Sequence, residues 1–300
     1  MYGRAKEESN IDPSMDNLRK EIEASFLLND NKPLVEFDGL SRSEMRYLIH
    51  SPFSKDSPLQ LNRVMSDRTL DQVPILKPVE YLINRLIQAK KIRLTKKGFL
   101  PTAIVKEIYD VFSLKDRIIE MNLVRLYSEL SSEAVHLTRE LSEICGFIEN
   151  ENHKLLVNPV WRNHYINNNR SKIFRRLFIG FTIHFDWSKI GFCTNPNSGQ
   201  IGFAFILYLL SKYGKNFKPI AFYINKYVKA FPFSYEELRP VTMGMCMADS
   251  FPSSFQMRTI EGFLINFNLI DYQFVEKRQS DRQLMIKKSR IFDKLIQFEL

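Results

Sequence analysis

Cysteine is scarce in this chain of 300 residues, and its scarcity argues against two ways of holding a fold together. The three cysteines, Cys145, Cys193 and Cys246, lie far apart in the sequence. An odd number at such spacing is not the disulfide framework of a small secreted domain. No CxxC pair and no cysteine–histidine spacing typical of a zinc site occurs. We therefore expect three reduced thiols, a cytoplasmic location and a fold that binds no metal.

Long apolar runs are also missing. The longest strongly apolar run covers 201–210, about half the length that a membrane-spanning helix needs. The first residues, 1–17, are polar and mixed in charge, unlike the apolar segment of a secretory signal peptide. The sequence thus predicts a soluble protein without a membrane partner.

The motifs of the common enzyme classes are absent as well. The chain has no GxSxG nucleophile motif, no Walker A phosphate loop and no GxGxxG dinucleotide motif. None of the five histidines stands three or four residues from another histidine, cysteine or carboxylate in a recognised metal-binding arrangement. We expect a protein that is not an enzyme and needs no cofactor.

The sequence is rich in phenylalanine and in basic residues. Hydrophobic residues make up 44% of the chain, and 24 phenylalanines allow a large core. Phe174, Phe178, Phe181 and Phe185 are spaced by three or four residues, which predicts that they share one helical face. Lysine and arginine exceed aspartate and glutamate, which gives a formal net charge of +9. A positive net charge favours acidic partners such as nucleic acid.

The stretch from 79 to 110 predicts a small structural unit. Apolar residues recur at helical spacing up to Ile87, and Ile92–Thr95 alternates as a strand does. Gly98 then breaks the strand, and Pro101 suits the start of a second helix. Helix, strand, glycine and helix form the skeleton of a winged-helix unit. The phrase Leu94-Thr95-Lys96-Lys97-Gly98 resembles the strand-ending "LT-x-KG" phrase of many bacterial winged-helix proteins.

A wider resemblance covers residues 38–110, about a quarter of the chain. The runs GLSRSEMRYLIHSPFSKDSPLQLN, VPILKPVEYLINRLI and LTKKGFLP are similar to an uncharacterised bacterial domain. That domain is sometimes found beside SEC-C-type zinc motifs or plasmid ORF-3-like domains, and it implies no established activity. The cysteine-rich SEC-C motif is absent here, so the resemblance implies no zinc site.

Similar patterns recur later in the chain and predict its organisation. Leu123, Leu126, Tyr127 and Leu130 predict a helix. Near the C-terminus, a helical segment precedes two strands that are joined by a charged loop at 275–282, and Ile291, Leu295, Ile296 and Phe298 predict one closing helix over 291–298. The predicted fold class is mainly α with small β-hairpins, with multiple winged-helix-like units around a Phe-rich helical centre. The predicted division is 1–32 as a polar segment, 33–115 as unit 1, 116–167 as unit 2, 168–256 as the centre and 257–300 as unit 3.

Three groups of basic residues are the candidate binding sites for nucleic acid, because phosphate contacts need cations that carboxylates do not neutralise. The candidates are Lys90, Lys91, Arg93, Lys96 and Lys97; Arg170, Arg175 and Arg176; and Lys277, Arg278, Arg282, Lys287 and Lys288. The alternative is that each group is a solvated face balanced by acids from elsewhere in the fold.

Together these patterns predict a non-enzymatic nucleic-acid-binding protein of a regulatory or mobile-element type. A scaffold that binds a protein partner or a second copy of itself is the alternative, because a Phe-rich chain can also present an apolar surface.

Overall fold

In a computed structural model, the described residues are 30–191, 199–232, 251–278 and 281–299, without the side chains of Arg117, Lys277, Arg278 and Asp281. Cys193, Cys246 and nearly all of the predicted segment 1–32 lie outside them. The chain folds mainly into α-helices with small antiparallel sheets, which confirms the predicted fold class at that level.

The elements have the following bounds. The helices are α1 (Arg42–His50), α2 (Asp67–Leu70), α3 (Leu76–Ala89), α4 (Thr102–Val111), α5 (Arg117–Glu120), α6 (Glu133–Ile144), α7 (Pro159–Ile166), α8 (Arg170–Ile179), α9 (Phe203–Tyr213), α10 (Ile220–Ala230), α11 (Phe251–Phe255) and α12 (Phe292–Leu295). The strands are β1 (Leu59–Leu61), β2 (Ile92–Arg93), β3 (Ile148–Glu151), β4 (Lys154–Val157), β5 (Lys218–Pro219), β6 (Ile270–Arg278), β7 (Asp281–Lys288) and β8 (Ile296–Phe298). Short 3₁₀ turns cover Glu129–Ser131 and Trp187–Lys189, and π-helical turns extend α8 through Gly180–His184 and α11 through Gln256–Ile265.

The first sheet joins elements that are far apart in the sequence. β3 and β4 form a hairpin, and β2 pairs antiparallel with β4, so the strand order is β2-β4-β3. The helices α3, α4 and α6 pack together beside this sheet. We call residues 76–157 the N-terminal repeat. It spans the predicted boundary between residues 115 and 116.

The second three-stranded sheet has the same strand order. β6 and β7 form a long hairpin, and β5 pairs antiparallel with β7, which gives the order β5-β7-β6. The helices α9, α10 and α11 stand in the chain where α3, α4 and α6 stand in the first sheet's segment. We call residues 203–288 the C-terminal repeat. Among the described residues, and apart from the short helix α5, the order helix–strand–helix–helix–strand–strand therefore occurs twice.

A phenylalanine-rich helix lies between the two repeats. Phe174, Phe178 and Phe181 of α8 and its extension are fully buried, and Phe185 is almost so, which confirms their predicted common face. The ring of Phe178 lies 5.0 Å from that of Phe267, which follows the π-helical extension of α11. Burial of such large side chains stabilises the fold by roughly 1.5–3 kcal/mol each. The hydrophobic core therefore continues from one repeat to the other.

Two local predictions are corrected. The helix predicted through Leu123, Leu126, Tyr127 and Leu130 is absent, because the chain turns irregularly after α5 and leaves Leu123 69% exposed. The polar residues Glu120 and Asn122 precede that apolar run, and Ser128 and Glu129 interrupt it. Asn122 adopts a positive φ of 57°. The segment 291–298, predicted as one helix, is instead the short α12 followed by β8, which pairs with β1.

Candidate nucleic-acid interface

The first basic cluster lies on β2 and on the turns at its two ends. We call the segment 90–97 the basic loop; its cations are Lys90, Lys91, Arg93, Lys96 and Lys97. The chain leaves α3 at Lys90, whose φ is 63°, and enters β2. Ile92 and Leu94 point into the core, with 6% and 5% exposure, so Arg93 between them points to solvent. Successive side chains of a strand point to opposite faces, so Arg93 stays out of the core.

A tight turn presents two of the lysines. The Gly98 N–H donates to the Thr95 carbonyl oxygen at 2.9 Å, so Lys96 and Lys97 occupy the two central positions of a four-residue turn. Gly98 has a φ of 80°, a conformation that glycine adopts without the strain of a side chain. Both lysine side chains are exposed.

The base of this turn is held against α6 by a buried carboxylate. Glu129 is fully buried, and its carboxylate accepts hydrogen bonds from the Leu100 N–H at 2.8 Å and from Arg139 Nη1 at 3.2 Å. The same Arg139 nitrogen donates to the Gly98 carbonyl oxygen at 2.7 Å. His136 Nδ1 lies 3.0 Å from Glu129, and this hydrogen bond raises the pKa of His136 against the opposing effect of burial. The basic loop therefore rests on a fixed support.

The five cations of the basic loop have no carboxylate within ion-pair distance among the described residues. All five side chains are exposed, so a ligand in solvent can contact them directly. Lys154 stands opposite Arg93 in the β2–β4 register and adds a sixth cation that sequence reasoning did not include. Lys154 pairs on its other side with Glu151, an exposed residue at the end of β3. Positive charge is thus concentrated on the β2 side of the sheet.

Arg170 belongs to a different environment. Its guanidinium lies 2.7 Å from Glu80, 2.9 Å from Asp71 and 3.1 Å from Asp67, and only 16% of its side chain is exposed. The Glu80 hydrogen bonds raise the pKa of Arg170. Three carboxylates neutralise this cation and tie α8 to α2 and α3, so the structure uses Arg170 for packing.

Arg175 and Arg176 are both half-buried on α8. The Arg176 Nε–H donates to the Cys145 carbonyl oxygen at 2.9 Å, which connects α8 to the end of α6. Neither arginine is near the basic loop in the sequence, and neither belongs to a strand of the first sheet.

The third cluster lies on the β6–β7 hairpin, and its described members have acidic neighbours. Lys288 lies 2.7 Å from Asp293, Lys287 lies 3.4 Å from Asp271, and the exposed Arg282 lies 3.7 Å from Glu276. The side chains of Lys277 and Arg278 lie outside the described residues. The loop predicted at 275–282 is largely strand, because β6 continues to Arg278 and β7 begins at Asp281.

The helix that precedes the hairpin of the N-terminal repeat, α6, is acidic. It carries Glu133, Glu140 and Glu143 against one arginine, Arg139, whose guanidinium is engaged with Glu129. The charge of α6 is therefore opposite in sign to that of the basic loop.

Sequence reasoning missed the residues that support the loop. Glu129 lies 29 residues from Leu100, and Arg139 lies 41 residues from Gly98. His136 lies seven residues from Glu129. No local motif marks them. A carboxylate that precedes an apolar helix is the one signal the sequence offers, and it equally fits an ordinary first helical turn.

The described residues contain no group of three or more histidine, cysteine, aspartate or glutamate side chains that could hold a metal ion. Within the same parts of the chain, no helix combines the length and the apolar character needed to cross a bilayer.

Comparison of the chain with protein-family models, with curated proteins and with solved structures finds no match.

Proposed function

We propose that the chain is a non-enzymatic nucleic-acid-binding protein that grips the phosphate backbone with its basic loop. The observation that carries this proposal is the set of five exposed cations at 90–97, which no described carboxylate neutralises. Binding of such cations to a phosphate backbone releases condensed counterions, and this release supplies most non-specific affinity.

The architecture supports the same proposal. In each repeat, a helix, a strand, two helices and a hairpin follow one another, and the first strand pairs with the last. This order resembles the winged-helix skeleton expected from the phrase at Leu94–Gly98. The fixed support under the turn adds affinity, because a held loop loses little conformational entropy on binding.

Fluorescence anisotropy with a labelled DNA duplex at low salt tests the proposal. The double variant Lys96→Glu/Lys97→Glu should bind at least about tenfold more weakly than the wild type, since it reverses two phosphate contacts at the turn. The matched control Lys55→Glu/Lys77→Glu makes the same change in net charge at two exposed lysines far from the loop, and it should bind nearly as the wild type does. Circular dichroism confirms that both variants are folded.

A protein-binding scaffold is the second candidate function, and a specific surface favours it. The segment 118–130 leaves several large apolar side chains exposed: Ile118 at 51%, Met121 at 56%, Leu123 at 69%, Tyr127 at 62% and Leu130 at 61%. Such a concentration of exposed apolar residues is typical of interaction surfaces. If the wild type does not bind duplex DNA or RNA hairpins at low salt, the nucleic-acid proposal is wrong and the scaffold function takes its place.

A further inference from the structure

A cavity of about 370 Å³ lies between α6 and the π-helical extension of α11. Its lining comes from four segments: the chain after α4, the first turns of α6, residues 185–190, and the π-helical extension of α11. Small-molecule sites usually have volumes of about 300–1,000 Å³ and occur where structural units meet. The cavity therefore has the size and the position of a ligand site.

Its walls are largely apolar. The apolar lining residues are Phe112, Leu114, Leu137, Phe185, Ile190 and Ile265. Gly262 shapes one side, because a Cβ there would lie 2.9 Å from the Ile190 side chain. Ile190 can approach the π-helical segment closely only because that position is glycine. Such a lining suits the apolar body of a ligand.

The charged lining residues carry an excess of negative charge. Glu140 is already paired with Lys189 and lies 3.8 Å from His136. The ammonium of Lys115 donates to the Tyr109 carbonyl oxygen and lies 4.4 Å from the centre of the Tyr109 ring, and its charge partly offsets that of Asp116 without an ion-pair contact. The lining carboxylates that remain, Asp116, Glu133 and Glu261, have no ion-pair partner among the residues that the structure describes.

Two of these carboxylates, Asp116 and Glu133, ionise less readily than a carboxylate in water, because the pKa of each is raised. Burial raises the pKa of Asp116, in spite of the hydrogen bond from the Ser132 hydroxyl. Burial also raises the pKa of Glu133, and the charge of Asp116 raises it further. Two like charges in one partly desolvated place favour an added cation.

We propose that this cavity binds a small organic cation, an amine carried on an apolar or aromatic body. The ammonium group would lie by Asp116 and Glu133, and the apolar body would lie against the phenylalanine and leucine walls. A neutral ligand would bury these carboxylates further without compensation, and an anion would be repelled.

Isothermal titration calorimetry with three indole compounds tests the proposal. Tryptamine is a cation, tryptophol carries a neutral hydroxyl on the same body, and indole-3-propionate is an anion. We expect one tryptamine to bind per chain, at least about fivefold more tightly than tryptophol, with the anion weakest. Equal binding of tryptamine and tryptophol, or no binding of tryptamine at millimolar concentration, overturns the proposal.

Variants locate the binding. Glu133→Gln should weaken tryptamine binding by about fivefold and leave tryptophol binding unchanged, whereas Glu151→Gln, an exposed carboxylate outside the lining, should change neither. Leu137→Trp should abolish binding of both compounds by filling the half-buried wall position. Circular dichroism shows whether each variant is folded. Tryptamine binding that is unchanged in both Glu133→Gln and a folded Leu137→Trp places the amine elsewhere and overturns the proposal.

Discussion

Replacing Glu129 with glutamine removes the charge that holds the basic loop on α6 while it keeps the size of the side chain. In the wild type, this fully buried carboxylate accepts hydrogen bonds from the Leu100 N–H at 2.8 Å and from Arg139 at 3.2 Å, and it lies 3.0 Å from His136 Nδ1. Removing one partner of a buried charge pair costs about 3–5 kcal/mol. Glutamine keeps one acceptor oxygen, so we expect the lower end, about 3 kcal/mol.

Urea denaturation followed by circular dichroism measures this loss. The control is Glu151→Gln, an exposed carboxylate of β3, which should change the free energy of unfolding by no more than about 0.5 kcal/mol. A double-mutant cycle with Arg139→Met should show that the two substitutions cost less together than their sum, because each already breaks the same pair. If Glu129→Gln unfolds at the same urea concentration as the wild type, the buried carboxylate does not hold the loop.

Two further predictions concern His136 of α6 and the contact of Gly180 with Cys145 at the end of that helix. The pKa of His136 is raised above its ordinary value of 6.5, chiefly by the Glu129 hydrogen bond, so its stabilisation is complete below that value and is lost as pH rises through the raised pKa. Unfolding free energies measured from pH 6 to 8 should therefore fall more steeply for the wild type than for His136→Asn, and parallel curves would refute this role. Gly180→Ala would place its Cβ 2.3 Å from Cys145 Sγ, so it should destabilise the protein by about 1–3 kcal/mol. The loss should shrink in a Cys145→Ala background, and an equal loss in both backgrounds would show that the sulfur is not the obstacle.

Sequence reasoning succeeded where the determining interactions are local. Ser41 and Glu44 stand at the three-residue spacing of a capping box, and the structure contains both of its hydrogen bonds. The spacing of Phe174, Phe178 and Phe181 by three or four residues placed them on one face, and all three are buried. Helical periodicity and capping depend on residues within a few positions of one another, so one sequence contains the necessary information.

The rest depends on partners that are distant in the chain. Ile92 pairs with Leu155, so one sheet contains segments from two units that the sequence predicted to be separate. A strand of only two residues has too short a pattern to predict its pairing register. Arg170 stood in an acid-free stretch, yet Asp67, Asp71 and Glu80 reach it across about 90 to 103 residues. A local charge count cannot show which cations the fold neutralises. The exposure of the basic loop, in contrast, follows from its local sequence. Apolar and charged residues alternate along β2, and the turn places Lys96 and Lys97 in solvent.

The salt dependence of DNA binding tests the central claim most directly. Five phosphate contacts from the basic loop predict that log affinity falls against log salt concentration with a slope of about 4.5 on a B-DNA duplex. Lys96→Glu/Lys97→Glu removes two contacts and should lower this slope by about 1.8, while Lys55→Glu/Lys77→Glu should leave it unchanged. Equal slopes for all three proteins, or no binding by the wild type at low salt, would contradict the account.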